Sequence, residues 1–333
     1  MSRTAKRSES NEPDEARSPS SDGRDAETPS EIPGRGWIEV LKRTKKEGVA
    51  DNASLLAGGV AFFALLAIVP LLVAALSIWG LFASPADATR LIGDLVSGLP
   101  QSAQNLVSRQ LRNISNRSNA GLSVTAIISL AVALWSASSG AKHLIEAVNT
   151  AYDEEEGRGF IKVRGLALLF TLGAVAFLLV AIGLIAVLPS ALSDAGVPDP
   201  LRIVLEVARW PLLAVLMVAG LAIVYRVAPD RRDPKWQWVS WGAVAATALW
   251  LIASALFAVY ASSLGSYDQT YGSLGGVIVI MLWLYITALA AILGAELNAE
   301  LEAQTAADTT VGDPRPLGSR EAVVADTVAA SSS

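Results

Sequence analysis

Thirty-five consecutive residues, 52–86, carry no Asp, Glu, Lys or Arg. An uncharged apolar run of about 18 residues or more can cross bilayer hydrocarbon as a helix, so this run decides the solvent in which the chain folds. Uncharged windows recur at 118–141, 165–193, 210–225, 236–267 and 269–295. The pattern predicts an all-α fold, a polytopic membrane helix bundle with six transmembrane helices plus amphipathic interfacial helices. The spans are expected near 55–83, 121–140, 165–189, 210–228, 238–262 and 272–295. Only helices satisfy their own backbone hydrogen bonds in lipid without pairing to a neighbour. The fourth window reaches a full crossing only if Arg209 or Arg226 extends to the interface. Pro70 removes a backbone bond from the first span and is expected to tilt or break it.

Charge separates this bundle from its ends. The formal net charge of −5 comes from residues 1–34 and 303–333, where acids outnumber bases. Both tails are polar and small, so they are expected to be disordered around a membrane domain at 35–302. Orientation follows the basic residues. With both termini inside, the inner segments carry Arg35, Lys42, Arg43, Lys45, Lys46, Lys142, Arg158, Lys162, Arg164, Arg226, Arg231, Arg232 and Lys235. The outer ones carry only Arg90, Arg109, Arg112, Arg117, Arg202 and Arg209. That bias favours both termini in the cytoplasm.

Between Gly36 and Ala50 an amphipathic helix is expected at the inner interface, its lysines near lipid phosphates or serving only as a topology signal. Two more amphipathic helices are expected in the first outer connection, over residues 91–114. A further helical stripe, Ala141, Leu144, Ile145, Val148 and Tyr152, precedes the acidic run 153–156.

The residues offer little for catalysis. There is one histidine, His143, and no cysteine. Metal hydrolase sites draw on several converging His and carboxylate ligands, and no phosphate-cradling glycine loop or nucleophile elbow is present. No enzyme activity, cofactor, metal or nucleic-acid partner is expected. Three polar constellations remain. The first, residues 265–276, is a glycine-rich loop carrying Tyr267, Asp268 and Tyr271. It is read either as a substrate-contacting mouth or as a tight hairpin of small packing residues. The second is Gly294-Ala-Glu296-Leu-Asn298-Ala-Glu300, whose carboxylates either pair with a basic inner residue such as Arg226 or Arg231 or serve an ion path. The third is the turn Tyr225-Arg226-Val-Ala-Pro229-Asp230-Arg231, whose arginines anchor topology or meet anionic headgroups.

These three motifs, with Pro70 and the stretch from Leu134-Trp135-Ser136 to Asn149-Thr-Ala-Tyr152, resemble the YihY/BrkB family of bacterial inner-membrane proteins. The resemblance covers about residues 37–302. It implies a six-helix integral membrane protein, in a family whose members are named virulence or serum-resistance factors, are linked to lipid transport, or bear the historical label ribonuclease BN. It carries over no catalytic residue. The function expected is a transporter or flippase of a lipid or other amphiphile, with membrane lipids as partners. The alternative is a non-transporting protein that organises the envelope, and a ribonuclease comes third. Candidate substrate-path or structural residues are Tyr267, Asp268, Tyr271, Glu296, Asn298, Arg226, Arg231 and Asn149. Tags at either terminus should be reachable by protease or antibody only after the cell is opened; labelling of one terminus on intact cells would overturn this orientation.

Overall fold

The computed structural model describes residues 22–79, 124–263 and 273–329. Its long elements are α1 (Gly34–Ala50), α2 (Ala53–Trp79), α3 (Val124–Ala151), α4 (Phe160–Ile182), the short α5 (Leu188–Asp194), α6 (Asp199–Val227), α7 (Trp236–Ser263) and α8 (Ser273–Ala303). A π-helical turn, Gly183–Val187, joins α4 to α5. The expected amphipathic helices at 91–114 and the loop carrying Tyr267, Asp268 and Tyr271 lie outside the described residues.

Helices stand at all six positions expected for spans. By length and apolarity four of them qualify to cross a membrane among the described residues, α4, α6, α7 and α8. A fifth qualifies if α1 and the start of α2 count as one broken span, bent by 64°. The expectation of six is therefore met at four or five. This bend lies at Asp51–Asn52, where Asn52 adopts φ 56°, and α2 is continuous through Pro70. Asparagine tolerates the left-handed region because its short amide bonds locally; Asn52 Nδ2 donates to Ala50 O. The short fourth window belongs to a 29-residue helix, α6. Its flanking arginines lie on aromatic rings, Arg209 over Trp210 and Arg226 over Trp236.

Around the bundle the helices neighbour one another in the order α4, α3, α2, α8, α7, α6, with lighter contact closing the ring between α4 and α6. The outward faces are apolar: Ile161, Leu169, Val215, Ile252 and Leu256 are exposed. In water such a surface would aggregate; in lipid it is the solvated face. With hydrocarbon outside as greasy as the core, small residues let helices approach and gain dispersion contacts. The core is accordingly rich in alanine, including Ala222, Ala243, Ala246, Ala291, Ala295 and Ala299. The tightest approach is between α7 and α8. A Cβ on Gly242 would overlap Gly294 O, and one on Gly294 would lie 2.5 Å from Tyr225 Oη.

The tail segments depart from the disorder expected of them. Residues 304–329 form a turn-rich layer over the end of the bundle that also carries residues 22–33. Ala306 N donates to Arg24 O, Gln304 Nε2 to Asp22 O and Thr305 Oγ1 to Ala26 O. Arg320 is 4% exposed and donates to the carbonyls of Ala306, Ala307, Arg315 and Ala325. Composition missed this because the ordering rests on backbone carbonyls and one buried guanidinium, not on apolar area.

Gly294→Val should destabilise the protein by about 3 kcal/mol through overpacking against Tyr225 and Gly242. Gly173→Ala, on an open face of α4, should be neutral or gain up to about 1 kcal/mol in helix propensity. Thermal unfolding in detergent checks both.

Candidate functional site

Three of the sequence motifs meet at one place, the end of the bundle that carries both terminal segments. The glycine crossing brings them together. Tyr225, fully buried on α6, donates from Oη to Ala291 O of α8 at 2.7 Å, in the gap that Gly294 leaves. One turn on, Asn298 accepts from Gly242 N at 2.7 Å and donates to Val239 O at 3.1 Å. Both ends of its amide are thus used to fasten α8 to α7. Tyr225, Gly294 and Asn298 together lock α6, α7 and α8.

The turn after α6 is fastened to α3 by the same means. Asn149 is 3% exposed; its Oδ1 accepts from Asp230 N at 2.8 Å and its Nδ2 donates to Glu156 Oε2 at 3.0 Å. Arg158 pairs with Glu156 and also donates to Ala228 O. This pairing holds the Glu156 carboxyl below its ordinary range. Arg226 stacks on Trp236 and sits 3.6 Å from Asp233.

Deeper lies an ion pair with no solvent contact at either side chain. Arg231 Nη2 meets Glu302 Oε2 at 2.6 Å, and the same oxygen accepts from Thr309 Oγ1. The Arg231 guanidinium also lies over the Tyr152 ring, 4.9 Å from its centre. Glu302 holds Arg231 charged, its proton more tightly kept than usual despite burial. Arg231 Nη1, Glu302 Oε1 and the Tyr152 hydroxyl find no partner among the described residues. Burial pushes the Tyr152 phenol upward, with the Glu302 charge adding to it.

The opposite face of α8 presents acids to α1. Arg43 pairs with Glu300 and donates to Gln304 Oε1 at 2.7 Å. Glu296, one turn earlier, is 2% exposed, and its Oε1 has no partner among the described residues. The charges that face it are all negative: Asp51, Glu300, Asp153 and Glu47. Burial, then the charges of Asp153 and Glu47, raise the Asp51 carboxyl above its ordinary range. Burial, then Glu47, does the same to Asp153.

Of the basic inner residues, the one that meets this motif of α8 is Arg43, on Glu300, and the arginines named as examples meet other acids. Arg231 takes Glu302, Arg226 sits by Asp233, and Glu300 takes Arg43. The helical period explains the difference. Glu296 and Glu300 share the face toward α1, whereas Asn298 and Glu302 share the face toward α7 and the turn. Glu302, Arg43, Asp51 and Tyr152 were not singled out as site residues. The i, i+4 step from Asn298 to Glu302 was the available signal. His143 stacks on Phe63 and contacts Glu146 Oε2 at 2.7 Å.

A groove of about 530 Å³ is lined by Ser30, Trp37, Trp241, Val244, Ala245 and Leu297. Trp37 and Trp241 meet edge to face with ring centres 5.3 Å apart. α1 buries Gly36, Val40, Thr44 and Gly48 and leaves Ile38, Leu41 and Val49 exposed. Arg35, Lys42, Lys45 and Lys46 are exposed on the same helix.

The sequence model of the family described as virulence factor BrkB matches residues 45–316. The chain belongs to this family. It is 35% identical to the ribonuclease-like protein YfkH of Bacillus subtilis over 269 residues, covering 79% of this chain and 94% of that one. It is 23% identical to a UPF0761 membrane protein of Pseudoalteromonas translucida, covering 82% and 88%. A UPF0761 membrane protein of Alteromonas mediterranea is 26% identical over 78% and 85%. No solved structure matches. The protein is an integral membrane member of the BrkB/UPF0761 group, and the family match covers the glycine crossing, the turn and α8.

Arg231→Met should cost about 3–5 kcal/mol, because it strands Glu302 as an uncompensated buried charge. Adding Glu302→Leu should recover most of the loss. Thermal unfolding of the two variants checks this, and a double variant no better than the single would contradict it.

Proposed function

We propose that this BrkB-family protein handles lipid in the bacterial cytoplasmic membrane. It binds lipid tails at its termini-bearing, cytoplasmic end and moves a lipid or related amphiphile between leaflets. The observation that carries the reading is the mostly apolar groove lined by the Trp37–Trp241 pair. Trp241, Val244 and Ala245 belong to an apolar helix long enough to span. A mostly apolar groove on such a helix suits an acyl chain. The rings suit the headgroup boundary, where tryptophan is enriched. The exposed basic residues of α1 suit anionic headgroups there, each worth about 1 kcal/mol near such a surface. The same basic bias supports cytoplasmic termini.

Envelope organisation is the second reading. The folded layer at 304–329 favours it, because it gives the bundle a shaped polar surface beyond the membrane. The nuclease-like wording of the Bacillus relative's name is not carried to this chain. Its one histidine is engaged by Phe63 and Glu146.

Transbilayer movement of fluorescent lipid in proteoliposomes tests the first reading. The full chain should accelerate movement over protein-free vesicles, and Trp37→Ala with Trp241→Ala should slow it several-fold. A rate equal to that of protein-free vesicles with every native lipid class would sink transport. Retained lipid co-purification would then leave binding alone.

A further inference from the structure

One buried group has no role in any bond that holds the bundle together. Glu296 lies in the last turns of α8 with Oε1 unpartnered among the described residues. The Asp51 carboxyl at the end of α1 makes a side-chain contact with it. The helix register brings the last turn of α1 to this part of α8. α1 and α8 run antiparallel, with Arg43 on Glu300 and Gly48 against Leu293, where a Cβ would sit 3.3 Å from Leu293 Cδ2. That pairing brings the last turn of α1, with Glu47 and then Asp51, to the turn of α8 that precedes and includes Glu296. Two carboxylates in contact cannot both be charged in a dry site, since neither has a hydrogen to offer the other.

Among the described residues no ion pair joins a cation to either member. From α1 come Glu47, whose partner is the exposed Lys46, and Arg43, which Glu300 already takes. From the end of α3 come Asp153, and Tyr152 with its hydroxyl unpartnered and fully buried. α8 itself brings Glu300, and Glu302, which is matched to Arg231 of the turn. From α6 comes Tyr225, its hydroxyl spent on Ala291 O. α2 and α7 carry no Asp, Glu, Lys, Arg or His at all. Asp51 and Asp153 also follow the last turns of α1 and α3, where the helix dipole disfavours negative charge.

We propose that Asp51 and Glu296 form a proton-binding site, one proton shared between two carboxyls, that clamps the α1–α2 bend onto α8. Asp51 is half-buried and stands at the solvent side, so it exchanges the proton with water; Glu296 is the enclosed member. Loss of the proton converts one charge into two facing charges, and the repulsion falls on the contact between α1 and α8. Arg43–Glu300 and the Trp37–Trp241 pair sit on that same contact surface. The α1 side of the lipid groove is therefore set by the protonation of this pair. The site stands on its own geometry and does not require that the protein transport anything.

The full-length protein in lipid nanodiscs supplies the test, by infrared difference spectroscopy during a pH titration. The wild type should show a protonated-carboxyl band at neutral pH that disappears as pH rises, and Glu296→Gln and Asp51→Asn should each remove it. Asp153→Asn leaves the pair intact and takes away one neighbouring charge. With that repulsion gone the pair should hold its proton less tightly, lowering the midpoint by about one unit. Amide exchange over 34–50, corrected for its intrinsic pH dependence, should quicken through the same transition in the wild type and not in Glu296→Gln. Absence of the neutral-pH band, its survival in both pair variants, or an unmoved midpoint in Asp153→Asn would each overturn the proposal. None of these readouts depends on lipid movement, so failure here and failure of the transport reading are told apart.

Discussion

The glycine-to-glycine crossing of α7 and α8 is the constraint on which the rest of the site depends. Without side chains at Gly242 and Gly294 the two backbones come close enough for Asn298 to bridge them with both ends of its amide. The same gap admits the Tyr225 hydroxyl from α6. In lipid there is no hydrophobic gain from simply bringing apolar helices together, so close packing and enclosed hydrogen bonds carry the association. Here the two arrive at one level of the bundle, and the charged turn and the end of α3 are assembled around it.

The buried polar groups at this end fall into two kinds. Arg231, Glu302, Asn149 and Asn298 join separate helices, and their bonds are local substitutes for the packing that a polar residue cannot provide. A buried pair of this sort is weak evidence for net stability, because desolvation offsets most of its attraction; its effect is to reject wrong registers. Glu296 and Asp51 belong to the second kind. They connect α8 to the α1 bend, yet as charged groups they would push it away. A helix bundle has no packing reason to keep two acids in that position.

Much of this was legible in the chain. The uncharged windows placed helices where α2, α3, α4, α6, α7 and α8 stand, because the length needed to cross hydrocarbon is a property of sequence alone. The motifs around Asn149, Arg231 and Asn298 were visible too, since polar residues among apolar ones attract notice wherever they occur. Their convergence was not visible, because it depends on which helices neighbour one another. Partner choice was hidden for a related reason. Glu296 and Glu302 are six residues apart, so they leave α8 in different directions, and only the neighbours' positions decide which meets an arginine. The tail at 304–329 escaped notice because its order comes from carbonyls gathered by Arg320, and backbone acceptors leave no trace in composition.

The interlocking of the two terminal segments has a consequence for biogenesis. Gln304, Thr305 and Ala306, just past α8, donate to the carbonyls of Asp22, Arg24 and Ala26, which precede α1. Residues 22–26 therefore lack these donors until every intervening helix has been synthesised.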